Sequence, residues 1–334
     1  MKVIIDFDPG VDDIFALMFT MLYPKIDILC ITTVNGNVQM EKTFVNAHLA
    51  VSKIFPEHKM PPIYAGGKDP IIFNRETDFF NGRDGLAGAA EAFYKKEVND
   101  IRKKYLTPAN IDENHASLKI IELVNRYPNE VSIISLGPLT NLALALRMTD
   151  ANFTSKIVKI YIMGGSEPVG FSQFPTINKF NYPEFNFVID PIAAKIVLDQ
   201  FICPKIIFTF DFTQRSFFMN FNELQTEFNT NFNDQRINFM ETLALFYFDL
   251  VGDKRTNKIF LADLGAVIGI LHGDEFSLEK KKCACTVEIR NSSMIGLIVK
   301  TSGYSNNIEL AIKMDHAKAK NKFIANLRIL ANLD

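Results

Sequence analysis

The chain has 334 residues, 48% of them apolar and 22% charged, with 36 Lys and Arg set against 38 Asp and Glu for a formal net charge of −2. That composition supports a large buried core and excludes disordered, collagen-like and small disulfide-scaffold classes. The balanced charge gives no footprint for a nucleic-acid partner, and the one tight basic run, Lys280-Lys281-Lys282, reads as a solvated loop.

Short β-branched runs alternate with longer helical patterns, the signature of βαβ units around a parallel sheet. A first strand is expected over Val3 to Phe7. Asp12-Asp13 then opens a helix with Phe15, Leu17, Met18, Met21 and Leu22 on its apolar face, because paired acids in a first turn suit the positive helix end. Ile28 to Val34 predicts a second strand running into Asn35-Gly36-Asn37, followed by a helix over Met40 to Phe55, and Ile63 to Ala65 a third strand. The Gly-, Asn- and Asp-rich stretch from Gly66 to Gly88 reads as a long functional loop.

His115 to Tyr127 predicts an amphipathic helix and Val131 to Leu136 a buried strand, which Gly137-Pro138-Leu139-Thr140-Asn141 turns into another helix. Ile157 to Met163 is the next strand, ended by Gly164-Gly165. An irregular stretch over Ser166 to Pro183 precedes a helix from Pro191 and a strand over Ile206 to Phe210. Arg215 to Gly252 reads as mostly helical and aromatic, a segment fit to cover a site, and Ala262 to Leu271 as another helix. Thr286 to Ile289, Gly296 to Lys300 and Ile308 to Met314 alternate like antiparallel edge strands, and Ala317 to Leu333 is a closing helix. The expectation is an open, mainly parallel, Rossmann-like α/β sheet with helices on both faces and antiparallel additions near the C-terminus, in one domain over 1–334.

Cys30, Cys203, Cys283 and Cys285 lack metal-finger spacing, which fits a reducing compartment. The chain opens directly into Lys2-Val3-Ile4-Ile5 with no leader pattern, and no apolar stretch approaches the roughly 18 to 20 residues that span a bilayer. A cytoplasmic protein without membrane partners is expected.

The chemistry concentrates in Asp6-Phe7-Asp8-Pro9-Gly10-Val11-Asp12-Asp13, four carboxylates in eight residues at a strand-to-helix junction. Like charges this close raise one another's pKa unless a cation or a tight hydrogen-bond network holds them. In an open parallel sheet this junction lies where ligands bind, and all-oxygen ligands favour Ca²⁺ or Mg²⁺. An aspartyl-phosphate phosphatase of the haloacid dehalogenase type also begins with a strand ending in Asp-x-Asp, but Pro9-Gly10 departs from its continuation.

The same octad resembles the signature of the inosine-uridine preferring nucleoside hydrolase family. Asn35-Gly36-Asn37, Gly82-x-Asp84-Gly85-Leu86, Leu136 to Asn141, Met163-Gly164-Gly165, Glu184-Phe185-Asn186 and Asp190-Pro191 extend the resemblance over essentially the whole chain. It implies calcium-dependent cleavage of ribonucleosides to free base and ribose, in a homodimer or homotetramer. Asp8, Asp13, the Leu136 carbonyl and Asp263 would hold Ca²⁺, and Asp8 would take the proton of the attacking water. Asp12, Asn37, Asn178, Glu184 and Asn186 match positions that grip the ribose, with the Met163 backbone close by.

The pattern breaks where the leaving base is handled. Many members carry His before the late calcium aspartate and before the Gly-x-Asp-Gly-Leu block; Ala262 and Asn81 stand there. Another branch stacks purines between tryptophans, and this chain has no Trp. The five histidines fall outside the motif blocks. Candidate replacements are Phe79, Phe80, Phe246 and Phe260 for stacking, and Tyr247, Arg83 or Asn81 for a hydrogen bond to the base. A silent riboside or ribose binder is the alternative from another class.

Overall fold

The computed structural model describes residues 1–72, 81–108, 111, 114–168, 184–230, 234–291, 294–302 and 307–332. Among the described residues, eight strands form the main sheet. In chain order β1 (Lys2–Phe7), β2 (Asp27–Thr33), β3 (Ile63–Tyr64), β4 (Val131–Ser135), β5 (Lys159–Met163) and β6 (Lys205–Phe208) belong to it. Two antiparallel pairs lie outside it, β7 (Met219–Asn220) with β8 (Lys258–Ile259), and β10 (Cys285–Val287) with β11 (Ile298–Lys300). β9 (Glu279–Lys282) and β12 (Ile308–Lys313) complete the sheet, whose order is β3-β2-β1-β4-β5-β6-β12-β9.

All pairings in that sheet are parallel except β12 with β9. β1 sits between β2 and β4, so successive connections leave it in opposite directions, and the crevice at its carboxyl end is the topological switch point where ligands bind. Strands of such a sheet are covered on both faces, which explains why Val3 through Phe7 are all buried. Val3, Ile5 and Phe7 face one apolar cluster and Ile4 the other. The first cluster is closed by α1 (Val11–Met21), α2 (Met40–Ile54), α3 (Ala89–Phe93) and α4 (Lys95–Tyr105). The second is closed by α5 (Ala116–Arg126), α6 (Thr140–Arg147), α7 (Ala151–Ser155), α8 (Phe185–Ile189) and α9 (Pro191–Gln200). α10 (Phe210–Ser216), α11 (Phe221–Thr230), α12 (Gln235–Val251), α13 (Ala262–His272) and α14 (His316–Leu330) return to the first face.

Two local expectations need correction. The strand from Ile308 is no edge: it lies inside the main sheet, parallel to β6 and antiparallel to β9. The Lys280-Lys281-Lys282 run is no loop, since it forms β9, the exposed edge of that sheet. Lysines suit that position because a charged edge resists pairing with another chain. α3 and α4 have no counterpart in the sequence reading: α3 is five residues long, and α4 is highly charged, with Val98 buried and only Ile101 and Tyr105 half-buried along its apolar stripe.

Candidate active site

β1 ends at Phe7, Pro9-Gly10 breaks the strand, and α1 begins at Val11. Gly10 has no side chain to cap the helix; instead its N–H donates to Asp13 Oδ2 at 2.9 Å, so an acid in the first turn folds back over the entry. α13 packs along α1 and brings its own first-turn acid, Asp263, to the same place. Burial raises the pKa of Asp12, and the backbone N–H groups of Asp263 and Ala262 at the start of α13 oppose that rise.

Asp12, Asp13 and Asp263 each place a carboxylate oxygen within 4.8 Å of the others. All three are buried, and Asp13 Oδ1 and Asp263 Oδ1 have no hydrogen-bond partner among the described residues. Burial first, then the neighbouring carboxylates, push Asp8, Asp13 and Asp263 well above the usual carboxylate range. Buried, mutually repelling oxygens left without donors are what a hard cation satisfies, so the donor set fits a metal ion with oxygen ligands.

Asp8 lies beside this triad and acts on Asp263 electrostatically. Its Oδ2 accepts from Asn37 N–H at 2.6 Å, while Asn37 Nδ2 donates to the Asp8 carbonyl at 2.9 Å and to Asp13 Oδ2 at 3.2 Å. Two glycines enclose the carboxylate: a Cβ on Gly36 would fall 2.0 Å from Asp8 Oδ2, and one on Gly137 would fall 2.6 Å from Oδ1. Gly36→Ala should therefore displace Asp8 and destabilise the fold by about 1–3 kcal/mol. Thermal melting and metal affinity check this; unchanged values for both would show that the carboxylate is not confined there.

Asp6, the fourth acid of the octad, stays out of the cluster. It accepts from Thr32 Oγ1 at 2.7 Å, Asn141 Nδ2 at 2.7 Å and Ser135 Oγ at 3.4 Å, with burial raising its pKa to about 6. The Leu136 carbonyl accepts from Asn186 Nδ2 at 2.6 Å, and the same amide reaches the Met163 carbonyl at 3.1 Å, tying the ends of β4 and β5 together. Glu184 caps α8: its Oε1 accepts from Asn186 N–H at 2.7 Å, and its Oε2 from Gly165 N–H at 2.7 Å and Phe187 N–H at 3.1 Å. Burial still holds its pKa up at about 7.

Both polar side-chain atoms of Asn81 are engaged. Its Oδ1 accepts from Val11 N–H at 3.2 Å and its Nδ2 donates to Asn37 Oδ1 at 2.8 Å, so it braces the acidic helix against Asn37. Tyr247 on α12 is buried, and after burial the charges of Asp12, Asp263 and Asp13 keep its hydroxyl protonated well beyond the usual range. Arg83 is exposed, with its carbonyl accepting from Lys42 Nζ at 2.7 Å. Phe260 packs at 6.0 Å from Phe218, and Phe246 edges onto Phe93. Asn178, Phe79 and Phe80 lie outside the described residues.

Sequence reasoning passed over Asn46, whose Nδ2 donates to the Pro9 carbonyl at 3.2 Å and the Asp84 carbonyl at 3.0 Å and so joins two motifs. Its signal was present, an amide among Phe44, Val45, Ala47 and Leu49 on the buried side of α2. It also passed over the buried Arg215–Glu167 ion pair and Asp211, which accepts from Glu167 N–H at 2.7 Å next to the Gly164-Gly165 turn.

The family description "Inosine-uridine preferring nucleoside hydrolase" matches residues 3–321. The chain belongs to that family. Among relatives it is similar to the probable uridine nucleosidase 1 of Oryza sativa subsp. japonica, 29% identical over 84% of this chain and 79% of the relative. It is 37% identical to uridine nucleosidase 1 of Arabidopsis thaliana over 59% of this chain and 52% of that protein, so the match takes in about half of the latter. The purine-preferring ribonucleoside hydrolase of Gardnerella vaginalis shares the fold, with a TM-score of 0.80 at 20% identity over the full length of both chains. As a nucleoside hydrolase the chain departs from the histidine-bearing pattern at two places: Ala262 opens α13 beside the acids, and Asn81 is locked to Val11 and Asn37. No helix among the described residues is long and apolar enough to cross a membrane.

Proposed function

We propose that this nucleoside hydrolase cleaves the N-glycosidic bond of ribonucleosides in a Ca²⁺-dependent reaction, with Asp8 as general base, in nucleoside salvage. The observation that carries the metal is the buried Asp12, Asp13 and Asp263 cluster with two oxygens lacking donors, next to Asp8. Asp8, Asp13, Asp263 and the Leu136 carbonyl would hold the ion, and Asp12 would turn to the ribose. Bound there, Ca²⁺ supplies the charge that acidifies and orients the attacking water.

Asp8 takes that water's proton as its oxygen joins the anomeric carbon, and the bond to the base breaks with its electron pair leaving on the base nitrogen. The sugar passes through an oxocarbenium-like state that the surrounding carboxylates and amide oxygens stabilise. Asn37, the Met163 backbone, Asn178, Glu184 and Asn186 would grip the ribose. Glu184 and Asn186 hold backbone groups in the structure, so gripping would exchange those bonds for ribose hydroxyls. Tyr247, Arg83, Asn81 and Phe260 are the candidates for contact with the base. The cytoplasm and a homodimer or homotetramer are the proposed setting.

The test is release of reducing sugar from inosine, guanosine, adenosine, uridine and cytidine by calcium-loaded protein. Ribose and free base in equal amounts are expected from at least one substrate. No release above an Asp8→Asn control on the whole panel would sink the reading. That outcome would favour a silent riboside binder, whose specific support is that both amide atoms of Asn81 are engaged and Ala262 has no polar atom on its side chain.

A further inference from the structure

Outside the active site, the chemistry most out of place is at Cys283-Ala284-Cys285, which links the edge strand β9 to the small β10–β11 pair. None of the four cysteines is in a disulfide. Residues two apart in an extended segment point to the same side, and here both cysteines are buried while Ala284 between them is half-buried. The segment is anchored on both flanks: Cys283 N–H donates to the Ile308 carbonyl at 3.0 Å, Thr301 N–H to the Ala284 carbonyl at 2.9 Å, and Cys285 pairs with Lys300.

We propose that Cys283 and Cys285 are a modification site at which a peroxide or disulfide oxidant closes a reversible intrachain disulfide that loosens the β10–β11 pair. The two sulfurs have different roles. Cys283 is the more accessible, 7% exposed against 0% for Cys285, and its thiol pKa is lowered by Cys285 first and then by the charges of Lys300 and Lys281. Cys285 is fully buried and its thiol is pushed up, so it stays protonated until called on to resolve. Cys203, by contrast, is held at about 11 by burial, and Cys30 is also raised. Reactivity follows the thiolate, which singles out Cys283.

With hydrogen peroxide the Cys283 thiolate attacks one oxygen, the O–O bond breaks, and the displaced hydroxide is protonated to water, leaving a sulfenic acid. The Cys285 sulfur then attacks the Cys283 sulfur and expels a second water as the S–S bond forms. Two electrons leave the thiols and reduce one peroxide to two waters. With a disulfide oxidant the same pair of electrons reduces that disulfide to two thiols.

Closure has a mechanical consequence. Residues two apart in an extended segment have Cα atoms about 6.4–6.8 Å apart, the far end of the range disulfides span, and their parallel side chains leave the Cβ atoms farther apart than the roughly 3.5–4.5 Å a disulfide needs. The bond therefore buckles Ala284 and pulls β10 away from β11. Ile298 of β11 packs so closely on the Gly165 backbone that a Cβ there would lie 2.5 Å from Ile298 Cδ1, and Gly296 rests against Phe187 and Val188. Gly165 N–H is one of the donors to Glu184, so the buttress leads to the ribose side of the site. A disulfide under such strain is readily reduced, which makes the change reversible. This link to activity, unlike the disulfide, rests on the proposed ribose grip.

The full chain is treated with hydrogen peroxide, alkylated and digested with trypsin. The expected result is an unalkylated 283–290 peptide lighter by about 2 Da, two hydrogens, restored by dithiothreitol and absent in Cys283→Ser and Cys285→Ser. In Cys285→Ser, Cys283 should instead accumulate as sulfinic acid. Far-UV circular dichroism and melting confirm that both variants fold. Over-oxidised Cys283 with Cys285 still alkylated in the wild type, or no oxidation of either, overturns the proposal. Ribose release should fall several-fold with the disulfide and return on reduction; a closed disulfide with unchanged release overturns the coupling. If no state releases ribose, the function reading fails while the peptide masses still decide the disulfide.

Discussion

Ribose release should fall by about 10²–10⁴-fold when Asp8 becomes asparagine, while the protein stays folded. An amide cannot take the proton of the attacking water. Its NH₂ end would also face the Asn37 N–H that now donates to Asp8 Oδ2 at 2.6 Å, unless the amide turns its oxygen there. Stability should move little or rise in the absence of metal. The wild-type carboxylate is buried beside Asp13 and carries a strongly raised pKa, so removing its charge relieves repulsion rather than breaking an ion pair. Steady-state assays with excess calcium, run beside circular dichroism melts, read both halves. Activity within tenfold of wild type in a folded variant would remove Asp8 from the role of base.

The parts of this site that neighbours in sequence build were legible, and those that distant partners build were not. Pro9-Gly10 after a β-branched run announces the strand end, and Asp12-Asp13 the helix start, because both signals act within one turn. Strand parity grouped Asp6 with Asp8, yet Asp6 lies within the parallel ladder opposite Thr32 and Ser135, whose hydroxyls, with Asn141, satisfy it. Nothing local says that Asp263 meets Asp13, since that contact depends on α13 crossing α1; the family resemblance supplied it. The burial of β12 was hidden for a related reason. Ile-Glu-Leu-Ala-Ile-Lys alternates like a half-exposed strand, and only β9 folding back along it closes the sheet there. Asn81 was legible as a departure from a pattern, but its bracing of Asn37 appears only once three segments are assembled.

Removing the metal should destabilise the protein more at pH 8 than at pH 5, and should abolish ribose release. Burial raises the native-state pKa of Asp8, Asp12, Asp13 and Asp263, so the metal-free native state binds protons that the unfolded chain releases. Such groups contribute stability that is complete below the unfolded carboxylate pKa, near 4, and is lost as pH rises through the native value. Asp6 and Glu184, raised to about 6 and about 7, act in the same direction and place much of the loss between pH 4 and 7. A bound cation reverses the sign for the cluster, because it favours the deprotonated carboxylates and competes with protons for them. At a calcium concentration 100 times its Kd the gain is about 2.7 kcal/mol, a shift of roughly 3–5 °C for a chain of this length, whose unfolding entropy is about 0.7 kcal/mol/K. Melts at pH 5, 6, 7 and 8, in calcium and in chelator, read the difference directly. Curves that coincide at pH 8, or a calcium effect that is largest at pH 5, would mean that the buried acids are held by protons and hydrogen bonds rather than by a cation.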